Sequence, residues 1–287
     1  MHRKALIMVV AIGLFAIGAN PASAEFKRDL STDRPDKTES PYTVEKGRFQ
    51  FELQPFSMAF RNSELAGGTK EFLRTGDFGG LAKYGVSDNV DVQLLLMYTG
   101  ESRWFEYNRS AGGEWFEDDS SVGQSKYPAV EFGDPQIRVK INLKGNDDGG
   151  SAFALMPYVT IPIGADEATS DNWEGGLIVP AGFAINERMG AGVMVEFDYV
   201  SDEGGDGHHL ELVTSATTAV DVSRIFGWYV ELFQSVDLAG NQPWVPTFDT
   251  GLTFAIGENV QLDLGVNLGL NRYADDFTPF LGFSFRL

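Results

Sequence analysis

Side-chain alternation with a period of two, repeated in segments of about ten residues, is what most restricts how this chain can fold. In residues 260–270, Val260, Leu262, Leu264, Val266, Leu268 and Leu270 form one apolar face against Gln261, Asp263, Gly265, Asn267 and Gly269. Successive side chains of a strand point to opposite sides, so this reads as a strand with one greasy and one wetter face. The last segment repeats it, with Leu281, Phe283, Phe285 and Leu287 opposite Phe280, Gly282, Ser284 and Arg286. The same grammar runs through Phe248, Leu252, Phe254 and Ile256; Val90, Val92, Leu94, Leu96 and Tyr98; Ile137, Val139, Ile141 and Leu143; Met189, Ala191, Val193, Val195, Phe197 and Tyr199; and Phe226, Trp228, Val230 and Leu232.

Five further strands are expected over 47–61, 69–86, 151–163, 174–185 and 208–220, with the outward face of 151–163 left open. The total is about twelve, an even number that returns the chain to the side on which it began. Short connections at 87–89, 144–150, 186–188, 221–224 and 257–259 alternate with mostly longer ones at 100–132, 165–173, 201–207, 236–245 and 271–276. Outer-membrane barrels have short periplasmic turns and longer extracellular loops. The expected fold is therefore all-β, a transmembrane antiparallel up-and-down β-barrel. A soluble sandwich or jelly roll also alternates, but its strands are usually shorter and its connections do not divide into two length classes.

Residues 1–24 read as a secretory signal: basic His2, Arg3 and Lys4, an apolar run over 5–18, and Ala22-Ser23-Ala24 before Glu25. The run falls short of the ~20 apolar residues that span a bilayer as a helix. The expected organisation is a signal peptide at 1–24, a periplasmic or lumen-inserted segment at 25–46, and an outer-membrane barrel at 47–287.

Composition removes several function classes. With no cysteine there is no disulfide framework, thiolate metal site or Cys nucleophile. Without Arg3 and Lys4, 20 basic residues face 41 acidic ones, a formal charge of -21 that repels nucleic acid. At 43% hydrophobic and 13% aromatic, the chain is too apolar to stay disordered.

The alternation places Arg48, Glu52, Lys83, Asp91, Arg138, Lys140, Glu196, Glu211, Glu231, Asp249, Asp263 and Arg286 on the lumen side as pore-lining candidates. They either set selectivity in an open pore or pair to fill a narrow one. Arg48, Lys83 and Arg286 fall near the periplasmic ends of three strands that closure makes neighbours, with many acidic positions higher or across the lumen. A transverse field is one expected consequence. The 25–46 segment, polar and carrying Pro35 and Pro41, is a candidate plug: Asp33 and Asp36 would approach the basic cluster and Arg34 the lumen carboxylates. A disordered tail is the alternative reading.

Acidic stretches at 117–119, 166–167 and 202–206 could hold divalent cations bridging lipopolysaccharide, or simply be solvated; none has calcium-loop spacing, and no metal is expected. Catalytic chemistry is poorly supplied. His208 and His209 are the only histidines after residue 24 and point to opposite faces, and no Gly-x-Ser-x-Gly elbow exists, so no catalytic residue and no cofactor is assigned. These histidines and Trp228 read first as interfacial side chains.

The run Ser31-Thr32-Asp33-Arg34-Pro35-Asp36-Lys37-Thr38-Glu39-Ser40-Pro41-Tyr42-Thr43-Val44, followed by Gly47 and Gln50, carries a resemblance. So do Lys83-Tyr84-Gly85-Val86-Ser87-Asp88-Asn89-Val90, Gly133-Asp134-Pro135 with Lys140, and Pro157-Tyr158 leading to Pro162-Ile163-Gly164. Together they resemble the outer-membrane transporter family associated with the meta-cleavage pathway of phenol degradation, over nearly the whole chain after residue 24. The resemblance implies a porin-like channel in a Gram-negative outer membrane, moving small, aromatic or otherwise hydrophobic solutes. Such a chain would meet outer-membrane lipid, lipopolysaccharide, the barrel-assembly machinery and a small-molecule solute. Leu287 departs from the aromatic residue that usually closes such barrels, while Phe283 and Phe285 keep its register. A lipase-like barrel enzyme, or a structural or surface-binding barrel without transport, is the alternative.

Overall fold

The computed structural model describes residues 26–64, 70–106, 130–147, 149–165, 168–202 and 207–287. The expected signal segment lies outside them, as do Glu117, Asp118, Asp119, Asp166, Glu167, Glu203 and Asp206 of the acidic stretches.

The strand segments are β1 (Phe49–Glu64), β2 (Lys70–Ser87), β3 (Val90–Glu106), β4 (Glu131–Phe132), β5 (Gln136–Lys144), β6 (Ser151–Thr160) and β7 (Glu174–Asn186), then β8 (Met189–Ser201), β9 (His208–Asp221), β10 (Phe226–Asp237), β11 (Val245–Ala255), β12 (Val260–Gly269) and β13 (Phe277–Arg286). Neighbours pair antiparallel throughout, and β13 pairs back onto β1 through Gln50↔Arg286 and Phe60↔Phe277, so the sheet closes on itself. β4 and β5 both lie on β3, through Tyr98↔Phe132 and Leu95↔Gln136. They form one stave interrupted by Gly133-Asp134-Pro135, which makes a barrel of twelve staves with no free edge.

Burial is inverted relative to a soluble protein. Lys83, Lys140, Glu52, Glu231, Asp91, Asp249 and Asp263 are among the most buried side chains, while Phe56, Val92, Val193, Leu232, Leu264 and Leu281 are exposed. Only a hydrocarbon solvent outside and a polar filling inside make that arrangement favourable. Rings on the outer surface pair across strands, as in Phe60 on Phe277 and Phe78 on Tyr98.

Two expectations are corrected. Residues 100–106 belong to β3, because its ladder with β2 continues to Lys70↔Glu106; β1 to β3 are 16, 18 and 17 residues long, well beyond the ~10 a tilted strand needs to cross. The strand at 151 ends at Thr160, and its open question of facing is settled: Ala152, Ala154 and Met156 are buried in the lumen while Phe153 is exposed.

A tight turn explains one glycine and a close backbone approach another. Gly145 has φ +91°, and a Cβ there would sit 2.0 Å from the Ser151 carbonyl oxygen. At Gly85 a Cβ would lie 2.0 Å from the Glu45 carbonyl oxygen, because residues 44–47 run against the start of the barrel. On the opposite rim, Asp134 in the stave interruption accepts hydrogen bonds from the amides of Gly164 (2.8 Å) and Ser170 (2.9 Å) and from Thr169 Oγ1 (3.1 Å), fastening the long connection that follows β6.

Candidate functional site

Residues 31–44 lie inside the barrel, with Lys27, Lys46 and Gly47 exposed at its mouth, which answers where a polar stretch with two prolines places its backbone groups: on lumen side chains. From its barrel-proximal end, the Val44 amide donates to Asp91 (2.9 Å) and the Thr43 amide to Asn146 (3.1 Å), while Asn142 Nδ2 donates to the Pro41 carbonyl (2.8 Å). Glu39 pairs with Arg138 at 2.6 Å. The Lys37 and Thr38 amides both donate to Glu231 at 2.8 Å, and Lys37 Nζ lies 3.2 Å from Asp249. Arg34 donates to Gln54 (2.7 Å) and to Asp263 (3.0 Å).

Asp33 is the centre of this arrangement. Its carboxylate meets Lys140 at 2.5 Å and also pairs with Lys83, which pairs in turn with Glu52. The Asp33 amide donates to Glu52 at 2.9 Å, and the Ser40 amide donates to Asp33 at 2.9 Å. Burial works against the charged carboxylate, but the charges and hydrogen bonds of Lys140 and Lys83 outweigh it and hold the group well below the ordinary range. Buried ions are tolerated when each is paired and hydrogen-bonded, and here the partners come from a segment and a wall that fold separately along the chain.

The remaining expected residues fall as follows. Arg48 and Arg286 are not joined to Lys83; both guanidinium groups stack on the Phe26 ring, at 4.6 and 4.0 Å from its centroid. Asp36 does not reach the basic cluster but lies against Thr217 and Glu231; burial first, then the Glu231 charge, pushes its carboxyl up to about 8. The reason is occupancy: Lys83 and Lys140 are already saturated by Asp33, Glu52 and Asp91. Glu196 hydrogen-bonds Asp198, which also accepts from Tyr158 Oη, and Glu211 sits opposite Asp198 and Asp237 in the ladders of β8 to β10. His209 Nδ1 lies 2.7 Å from Asp202, and His208 stacks on Tyr199, so the two histidines serve separate contacts.

On the flank made by β6 to β9 the lining changes character. Met156, Ile178, Met194 and Val213 form a buried apolar cluster, flanked by Tyr158 and Phe233. Toward the short-turn end a cavity of about 760 Å³ opens between the segment and the wall, lined in part by Gly182, Gly190, Gly192, Thr217 and Ala219. A Cβ at Gly182 would meet Pro41 at 3.2 Å, and one at Gly192 would meet Thr217 at 2.9 Å and Thr38 at 3.2 Å. Reasoning from charge alone passed over these residues. The available signal was apolar Met194 and Val213 standing on the face that charge assigns to the lumen.

A protein-family model described as "Putative MetA-pathway of phenol degradation" matches residues 32–287. Among solved structures the fold is similar to the COG4313 outer membrane channel from Pseudomonas putida F1, at 12% identity and a TM-score of 0.62, covering 86% of this chain and 97% of that one. The NanC porin (10% identity, TM-score 0.48, 83% and 100% covered) and the CymD monoaromatic hydrocarbon channel (7%, 0.44, 85% and 88%) are similar more loosely. The comparison with curated proteins finds no match.

Proposed function

The chain belongs to the family described as "Putative MetA-pathway of phenol degradation", and from that premise we propose that it is an outer-membrane channel for small hydrophobic or aromatic solutes. Solutes move down their gradient, without a cofactor. The observation that carries the reading is the pairing of a lipid-facing apolar exterior with a buried apolar layer, Met156, Ile178, Met194 and Val213, on the lumen face of β6–β9. A channel for ions or sugars would line its path with charge and hydrogen-bonding groups throughout. Residues 1–24 direct export, and residues 31–44 remain in the lumen as a plug tied to Lys83, Lys140, Asp263, Asp249 and Glu231.

Reconstitution into planar bilayers tests this. Full-length mature protein is expected to pass little ionic current, and deletion of residues 25–45 to raise it. Equal currents from the two proteins would remove the plug, and no passage of any solute by either would remove the channel. Amino-terminal sequencing of the exported protein is expected to begin at Glu25. A lipid-hydrolysing barrel needs a base beside a nucleophile; among the described residues His208 Nε2 lies 3.1 Å from the Trp173 carbonyl and His209 Nδ1 2.7 Å from Asp202, and neither ring is hydrogen-bonded to a serine or threonine hydroxyl.

A further inference from the structure

We propose that solutes cross along one flank only, between the docked N-terminal segment and β6–β9, and that Met156, Ile178, Met194 and Val213 form the septum that selects small uncharged apolar molecules. This rests on the channel reading and deepens it, since it makes the segment a fixed wall of the path rather than a stopper that must leave.

Three observations converge on it. The ion pairs of the segment with the strands run to β2, β5, β11 and β12, whereas toward β7 and β8 it offers Pro41 over Gly182, Thr38 over Gly192, and the Glu39 amide 3.4 Å from Met194 Sδ. The cavity of about 760 Å³ reaches the short turns at Asn146, Glu187 and Arg188 and ends inward at Thr38, Glu39, Gly192 and Thr217. Septum side chains stand on the lumen face of the same strands, immediately beyond that end: Met194 is two residues from Gly192, Ile178 four from Gly182, Val213 four from Thr217, and Met156 two from Ala154. Beyond the septum come Tyr158, Glu196 and Asp198. The apolar layer is therefore interposed between two polar compartments.

The septum is shut, with Met156 and Ile178 at 0% and 2% exposure. Two of its four members are unbranched thioethers, which change rotamer readily and repack around a guest. A small apolar molecule replaces the contacts it displaces, while an ion or sugar must shed water with nothing to replace it.

The chain has no cysteine, so single thiols report access cleanly. In full-length protein in proteoliposomes, Met194→Cys is expected to react with neutral N-ethylmaleimide at least about tenfold faster, relative to Gly190→Cys, than with a negatively charged methanethiosulfonate. Equal relative rates for the two reagents, or no reaction with either while the segment is docked, would overturn the septum. If Met194→Cys fails to fold, Val213→Cys serves with the same expectation. Met156→Ala/Met194→Ala is expected to raise ionic current severalfold with the segment still in place. Current that appears only on deleting residues 25–45 would leave the channel standing and sink this route; no current from either would sink the channel itself.

Discussion

The flank formed by β10–β13 and β1–β5 meets the N-terminal segment with carboxylates, ammonium groups and amides, whereas the β6–β9 flank meets it largely with glycine, alanine, threonine and methionine. Directional ion pairs fix a backbone in one place and are costly to break singly, because a lone buried charge is left behind. Contacts with small and flexible apolar side chains can be unmade and remade at little cost. One lumen thus holds a fastened side and a yielding side, and the proposed route for solutes runs along the yielding one.

The comparison breaks most visibly at Asp33. Asp33→Ala leaves Lys140 and Lys83 with Asp91 and Glu52 but without their shared partner, and the docked segment is expected to lose about 3–5 kcal/mol. Segment release should follow, read as tryptic cleavage after Lys37 and as added ionic current. On the yielding flank, Met194→Leu is expected to cost less than about 1.5 kcal/mol and leave cleavage unchanged. If the two variants behave alike, the flanks do not differ in how they hold the segment.

Next in size is Glu231→Gln. Glu231 accepts from the Lys37 amide and, at 2.5 Å, from the Thr38 hydroxyl, besides the Thr38 amide. A carboxamide keeps the volume but supplies one accepting oxygen, so about 1–3 kcal/mol of docking is expected to go. Cleavage after Lys37 should rise less than in Asp33→Ala, and a rise as large would mean that Asp33 is not the centre of the network.

How much of this was legible follows from what each feature depends on. The barrel was readable because alternation is a property of each strand alone; Val260 to Leu270 show the two faces without reference to any neighbour. Arg34 reaching a lumen carboxylate was readable too, since the wall is rich in acids, although Gln54 shares the guanidinium with Asp263. The partners of Asp36, Arg48 and Arg286 were not, because pairing in a crowded lumen is competitive: Asp33 takes Lys83 and Lys140, and the two arginines meet on Phe26. The septum was hidden for a different reason. The apolar residues of β6 to β9 fall on both faces, so period alone does not say that four of them converge, and the register Met156↔Ile178 and Met194↔Ser215 is a property of the assembled sheet.

Protonation tests the same contrast with a smaller effect, because the Asp33 ion pairs stay in place. Burial, with Asp33 nearby, pushes Glu39 up to about 7 against the pull of Arg138, Lys140 and Lys83, with Glu196 facing it from β8; Asp36 stands at about 8 beside Glu231. Both carboxyls hold protons at a higher pH when docked than when released, so docking takes up protons and strengthens as pH falls from about 8 toward 4.5. Asp33 has the opposite sign, but its loss begins only below the ordinary carboxylate value of 3.8. A spin label at Asp29→Cys is expected to be more mobile at pH 9 than at pH 5. Mobility that is flat or falls over that range would show that neither carboxyl senses docking.

The smallest effect is expected at Phe26, where the fastened side begins. Arg286, at the end of β13, stacks on this ring, donates to the Arg28 carbonyl at 2.7 Å and to Asn259 Oδ1 at 2.8 Å, while Arg48 covers the ring from beside β1. The ring therefore bridges the two strands that close the barrel. Phe26→Ala is expected to cost about 0.5–1 kcal/mol for each cation lost, too little to undock a segment still held at Asp33 and Glu231. A spin label at Asp29→Cys should loosen while one at Ser40→Cys stays immobile. If both loosen together, the segment docks as one cooperative unit, and its contacts on the β6–β9 flank share in the fastening instead of yielding.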